Sequence, residues 1–191
     1  MSAPREMSVA SPLGDAFGCS ASVAGRMPAL HNKFMRIGFG NDIHRLEAGR
    51  PLILGGVPIE AELGAVGYSD ADALAHAVTD ALLGALALGD IGSHFSDSDP
   101  RWQNADSFVF LAEAMRLVNE RGYAVANVDS IIELETPKLR PYIEQMRANL
   151  AKALNVEIGC VSIKAKTGEG IGEIGTRQAL RATAIILVAK A

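Results

Sequence analysis

The sequence predicts an α+β protein, with helices layered on one mixed β-sheet in a single domain. Three observations predict it. From Met35 onward, segments of period two alternate with amphipathic segments of period 3.6, and no internal repeat breaks that alternation. At 191 residues, the chain is long enough for one sizeable core and short for two. A composition of 49% hydrophobic and 21% charged residues is that of an ordinary globular domain.

In chain order, residues 1–34 are rich in Ser, Ala, Gly and Pro and lack a hydrophobic period, which predicts a disordered N-terminal extension. Their excess of Arg and Ser over acids leaves a transit peptide as the alternative, and an upstream start ahead of Met35 as another. The folded domain is expected over 35–191. Its first strand covers Arg36 to His44, and Gly55-Gly56 joins a Pro51–Leu54 strand to Val57-Pro58-Ile59 as a hairpin. A long Ala- and Leu-rich helix follows over about 70–88. Ser69 and Asp72 resemble a capping box at its start. Gly89 to Pro100 reads as a Gly- and Asp-rich loop, and a second helix runs from about Ser107 to Arg121, closed by Gly122. Tyr123 to Glu135 alternates as a strand. Pro137 and Pro141 open a third helix that reaches about Leu154, and Val161–Lys166 and Ala179–Lys190 are the last strands.

A net charge of -4 argues against a general nucleic-acid or anionic-membrane binder, so phosphate binding has to be local. Cys19 and Cys160 are far apart and form no C-x-x-C pair, so neither a disulfide framework nor a thiolate zinc site is indicated. No apolar run reaches the roughly 18 to 20 residues of a membrane span. The chain reads as soluble and cytoplasmic, or organellar if residues 1–34 are a transit peptide.

The chemistry begins on the long helix, where Asp72, His76 and Asp80 recur at a spacing of four and so stack along one face. Charges among apolar residues need a partner or a metal. Asp42 and His44, two apart on the first strand, point to the same side. With His76 they offer two imidazoles and one carboxylate, which leaves a zinc-like ion an open coordination position. The bland alternative is a strand-end turn and a core histidine. Two glycine-bearing loops could sit beside such a site: Gly89 to Pro100, and Lys164 to Gly172. In the second, Lys166, the Thr167 hydroxyl and exposed amides suit phosphates, and Glu169 suits a divalent ion.

Taken together, G-x-G-x-D-x-H (Gly38 to His44), S-D-A-D with His76 in the next helix, G-D-I-G, D-x-D-P, and N-V-D before a P-K segment resemble the 2-C-methyl-D-erythritol 2,4-cyclodiphosphate synthase family of the non-mevalonate isoprenoid pathway. The resemblance covers essentially all of 35–191. It implies a homotrimer of four-stranded mixed-sheet protomers, with active sites between neighbours and a cytidine diphosphate substrate. It also implies that Asp42, His44 and His76 ligate zinc, and that Glu169 holds magnesium or manganese on the substrate phosphates. Thr167 and the residue at position 68 would stabilise the transition state. Leu134, Pro137, Lys138 and Arg140 match the cytidine pocket, with Lys166 beside it, while Ser69, Asp90, Ile91, Gly92, Phe95, Asp97 and Asp99 match the surroundings of the methylerythritol phosphate. Asp42 and His44 touch substrate as well as metal in that scheme.

The chain departs from the family pattern at several positions. Tyr68 stands where a histidine is usual, Phe39 and Asn41 differ around the D-x-H, and Glu173 with Gly175-Thr176 replaces an aromatic and a Gly-Arg pair, with Arg177 one place later. A catalytically weakened trimeric paralogue that binds nucleotide and metal is the alternative these departures raise.

Overall fold

A computed structural model describes residues 35–191, which lie in one compact unit. Strand β1 (Met35–Ala48) leads into a hairpin of β2 (Leu52–Leu54) and β3 (Val57–Ile59), then β4 (Leu63–Ala65) and helix α1 (Ala73–Ala85). The short α2 (Ile91–His94) and a 3-10 turn at Pro100–Trp102 precede α3 (Phe108–Glu120) and β5 (Tyr123–Glu133). Helix α4 (Ile143–Leu154), β6 (Val161–Lys166), the short α5 (Gly172–Gly175) and β7 (Ala179–Lys190) complete the chain.

The main sheet has the order β4-β1-β7-β5-β6; β5 and β6 are parallel and every other pair is antiparallel, so the sheet is mixed. It has five strands rather than the expected four. The difference arises because β1 runs on to Ala48, past the end of the expected strand at His44. Its overhanging edge pairs with β4 through Leu46↔Ala65 and Ala48↔Leu63, which satisfies backbone groups that would otherwise be left open.

Helices cover one face of this sheet. Helix α1 lies against β1 and β7, with Leu74, Val78 and Leu82 wholly buried. Two glycines set how closely it lies. A Cβ at Gly38 would stand 1.7 Å from the Ala81 carbonyl oxygen, and one at Gly40 would stand 2.0 Å from that of Ala77. Only hydrogen fits there, so the helix rests on the strand's main chain. On the opposite face Ile37 (71% exposed) and Phe39 (63%) alternate with those glycines, and Ile43 and Ile185 are exposed beside them.

Four local expectations need correction. No Ser69 capping box forms: Asp72 is itself the N-cap of α1, accepting the Ala75 N–H at 3.0 Å. Its carboxylate also accepts Gly55 N–H at 2.9 Å and Gly56 N–H at 2.7 Å, so it faces the hairpin turn rather than a stripe shared with His76. The third helix starts later than its prolines suggested. Pro137 stays in the preceding loop, a 3-10 turn spans Arg140–Tyr142, and α4 begins at Ile143. Finally, the 89–100 loop contains α2, capped by Asp90. The N-terminal extension lies outside the described residues.

Candidate metal centre and adjoining pockets

The period of β1 puts Gly38, Gly40, Asp42 and His44 on its helix-covered face. The glycines bring α1 close enough for His76, one turn beyond its N-cap, to meet the last two. Asp42 Oδ2 lies 2.8 Å from His44 Nε2 and 2.9 Å from His76 Nδ1, and the two nitrogens are 3.3 Å apart. Among the described residues this is the one group of three or more ligand-type side chains with such convergence. Donors about 2.0 to 2.1 Å from a tetrahedral ion stand roughly 3.3 Å from one another. The triad therefore fits a divalent metal and leaves the fourth position to the adjoining pocket.

Each imidazole is anchored on its outer side. His44 Nδ1 is 2.9 Å from the Val66 carbonyl oxygen, which can only accept, so this nitrogen carries the proton and Nε2 turns inward. His76 Nε2 is 2.8 Å from Ser107 Oγ and 3.1 Å from Ser69 Oγ, which leaves Nδ1 inward. Burial would raise the Asp42 carboxyl, but hydrogen bonds from His44 and His76 outweigh it and hold Asp42 well below the usual carboxylate range. For His44, burial works downward and the Asp42 carboxylate reverses it, so the imidazole titrates above its ordinary value.

Beside the triad is a pocket of about 320 Å³ lined by His44, Tyr68, Ser69, His76, Ile91, Gly92, Phe95 and Asp97, with Trp102 and Phe110. Its apolar wall is an aromatic cluster: Phe95 and Phe110 centroids are 4.7 Å apart, and Trp102 meets both edge-on. Asp90 and Asp99 are not in this lining. Asp90 accepts from the Ser93 amide and hydroxyl, and Asp99 caps the Pro100–Trp102 turn while pairing with Arg101. Tyr68 arches over the mouth and its hydroxyl donates to the Asp99 carbonyl at 3.2 Å.

The other expected site residues gather elsewhere. Leu134, Pro137, Lys138, Arg140, Lys166, Thr167 and Glu169 line a second cavity of about 510 Å³, where the Thr167 hydroxyl donates to the Glu169 carboxylate. The two cavities share no lining residue. Across the sheet register, Lys166 opposes Glu133, Glu133 opposes Arg181 and Arg181 opposes Ile43. Lys166 thus sits three strand spacings, about 14 Å, from the strand that carries Asp42 and His44. Of the terminal departures, Arg177 pairs with Glu62 at 2.7 Å, and the Thr176 hydroxyl donates to the Gly172 carbonyl.

Sequence reasoning missed Trp102, Phe110 and Ser107. The tryptophan, directly after D-P-R, carried a signal as the single Trp of the chain; Phe110 and Ser107 looked like the first turn of any amphipathic helix.

The YgbB family model matches residues 35–189. A curated 2-C-methyl-D-erythritol 2,4-cyclodiphosphate synthase of Salinibacter ruber is 52% identical over 157 residues, covering 82% of this chain and 100% of that one. A solved 2C-methyl-D-erythritol-2,4-cyclodiphosphate synthase in its CDP-bound form superposes with a TM-score of 0.75 at 43% identity, covering 80% of this chain and 99% of that one. The bifunctional IspDF of Campylobacter jejuni superposes with a TM-score of 0.79 at 35% identity, covering 82% of this chain and 42% of that longer protein.

Proposed function

Because this chain belongs to the YgbB family, we propose that it cyclises 4-diphosphocytidyl-2-C-methyl-D-erythritol 2-phosphate to 2-C-methyl-D-erythritol 2,4-cyclodiphosphate and releases CMP. The observation that carries this reading is the convergence of Asp42, His44 and His76 at the wall of a pocket of substrate size. The folded part, 35–191, serves as the catalytic domain.

In this reaction an oxygen of the 2-phosphate forms a bond to the β-phosphorus. The bond from that phosphorus to the oxygen bridging the α-phosphorus breaks, and its electron pair leaves with CMP. The nucleophile is already anionic, so the site needs no general base and works by positioning and charge neutralisation. A zinc-type ion held by Asp42, His44 and His76, with magnesium or manganese at Glu169, would neutralise charge on the phosphoryl groups. Tyr68, whose one hydroxyl proton goes to the Asp99 carbonyl in the free chain, would turn that proton to the phosphates from the pocket mouth, and the aromatic wall takes the carbon skeleton. In the second cavity, Leu134, Pro137, Lys138 and Arg140 receive the cytidine while Lys166 and Thr167 hold the diphosphate. That a relative was solved in a CDP-bound form supports a cytidine nucleotide as the ligand.

The two cavities share no lining residue, and Lys166 lies about 14 Å across the sheet from the strand of Asp42 and His44, which favours completion of each site by a neighbour. The apolar sheet face with Ile37, Phe39, Ile43 and Ile185 gives the surface for that association, and we assign a homotrimer to it. A catalytically weakened paralogue is not favoured, because the Asp42, His44 and His76 triad is complete. Among the described residues no helix is long and apolar enough to cross a membrane, which suits the proposed cytoplasmic location.

Incubating the purified chain with the cytidine diphosphate substrate and magnesium should release CMP together with the cyclic product. CMP without cyclic product would mean simple hydrolysis, and no CMP would overturn the assignment.

A further inference from the structure

Behind His76, on the side away from the triad, lies a chain of polar groups that the proposed reaction does not use. Ser107 is wholly buried and occupies the N-cap position of α3, yet its hydroxyl caps nothing in that helix. The Phe108 amide turns to Asp106 Oδ1 at 2.8 Å instead. The Ser107 Oγ lies 2.8 Å from His76 Nε2 and donates its proton to Asp70 Oδ1. Asp70 also accepts the Ser107 amide at 3.2 Å and the Asp72 amide at 3.3 Å, which fixes its carboxylate in place.

Donor and acceptor roles follow from these contacts. A carboxylate only accepts, so the Ser107 proton points to Asp70 and a lone pair on its oxygen faces His76. His76 Nε2 must then carry a proton, so that the lone pair available to a metal is the inward one, on Nδ1, the atom that meets Asp42 Oδ2 at 2.9 Å in the metal-free hydrogen bond. Ser69 Oγ is a second acceptor at 3.1 Å without a carboxylate of its own behind it.

We propose that Asp70 and Ser107 are positioning residues, a carboxylate–serine relay that fixes the tautomer and ring orientation of His76 and strengthens its Nδ1 as a metal ligand. The proposal rests on the reading of Asp42, His44 and His76 as a metal site. Outer partners of this kind commonly contribute about 10- to 100-fold to metal affinity. A serine is an economical link here because it is short enough to be enclosed at the start of α3, and it transmits the carboxylate's polarisation without bringing a second charge against the imidazole.

The test is zinc affinity of the full chain by competition with a chromophoric chelator, at one fixed pH, for wild type, Ser107→Ala, Asp70→Asn and the double variant. Ser107→Ala should weaken zinc binding about 10- to 100-fold, and the double variant should bind within about threefold of Ser107→Ala, because the two residues act in series. Ser69→Ala should lose less than Ser107→Ala. The His76 Nε2–H proton of zinc-loaded wild type, observed by NMR, should be downfield and slow to exchange, and this holds even if Ser107→Ala fails to fold. Zinc affinity within twofold of wild type in a folded Ser107→Ala, or a His76 Nε2–H that exchanges like a free imidazole, would overturn the relay alone. A wild-type chain that binds no zinc would overturn the metal reading and the relay with it.

Discussion

His44 Nε2 and His76 Nδ1 come within 3.3 Å of each other across 32 residues of sequence, one from a strand end and the other from the second turn of a helix. Two imidazole nitrogens held face to face beside a carboxylate gain most by sharing a cation. His76→Ala should retain the fold, lose the bound metal and abolish CMP release. Elemental analysis on the purified variant, beside circular dichroism, checks this; unchanged metal content would remove His76 from the site.

The bond from the Tyr68 hydroxyl to the Asp99 carbonyl ties the loop before α1 to the loop over the pocket. Loss of a transition-state donor costs about 2.7 to 4 kcal/mol when the donor is fully engaged. A phenol shared with a carbonyl should matter less, so Tyr68→Phe should slow turnover by roughly ten- to a hundredfold. Tyr68→His should preserve or raise it, since an imidazole can also bring positive charge to the phosphates. Metal content should be unchanged in both. Steady-state CMP release decides, and full turnover in Tyr68→Phe would assign the ring to packing alone.

Phe39 and Ile185 oppose one another on the uncovered sheet face, with Ile37 one step along β1. If the proposed homotrimer forms through this face, replacing Phe39 and Ile37 together by Asp should leave the helix-covered core intact and prevent association at micromolar concentration. Light scattering should show a monomer, and CMP release should fall with it. A double variant that remains trimeric would move the interface elsewhere.

Asp72 makes stability depend on pH in the unusual direction for a carboxylate. Burial pushes it up to about 6 from 3.8, despite the amides of Ala75, Gly56 and Gly55 that favour its charged form. The folded chain thus holds this proton more tightly than the unfolded chain does. The contribution is fully present below about pH 4 and is lost as pH rises through about 6. Urea unfolding of metal-stripped wild type and Asp72→Asn across pH 4 to 7 isolates it: the wild type should lose stability relative to the variant as pH rises. A pH-independent difference would show that the three amides dominate.

Much of this was legible in the sequence for physical reasons. Period two in β1 is enough to put Asp42 and His44 on one face, and the Ala- and Leu-rich run that holds His76 could only be a buried helix. The partners that cross between elements were not legible. Ser107 meets His76 from 31 residues away through a fold contact, and nothing in its local pattern separates it from an ordinary cap. β4 was too short and too rich in small residues to show a period, and its pairing depends on where β1 stops. Nor were the local partners of Asp90 and Asp99 legible: each carboxylate meets an amide two or three residues ahead in the chain.

The contact of α1 on Gly38 and Gly40 passes through no side chain, so the gap between the strand and the helix is set by main-chain atoms whose size cannot vary. The distance from Asp42 and His44 to His76 is therefore gauged by the backbone. A methyl group at either glycine would act as a shim of fixed thickness: it would push the helix off the strand and pull one ligand away from the other two. The least chemically endowed positions on the strand are thus the ones through which the metal geometry is most easily lost.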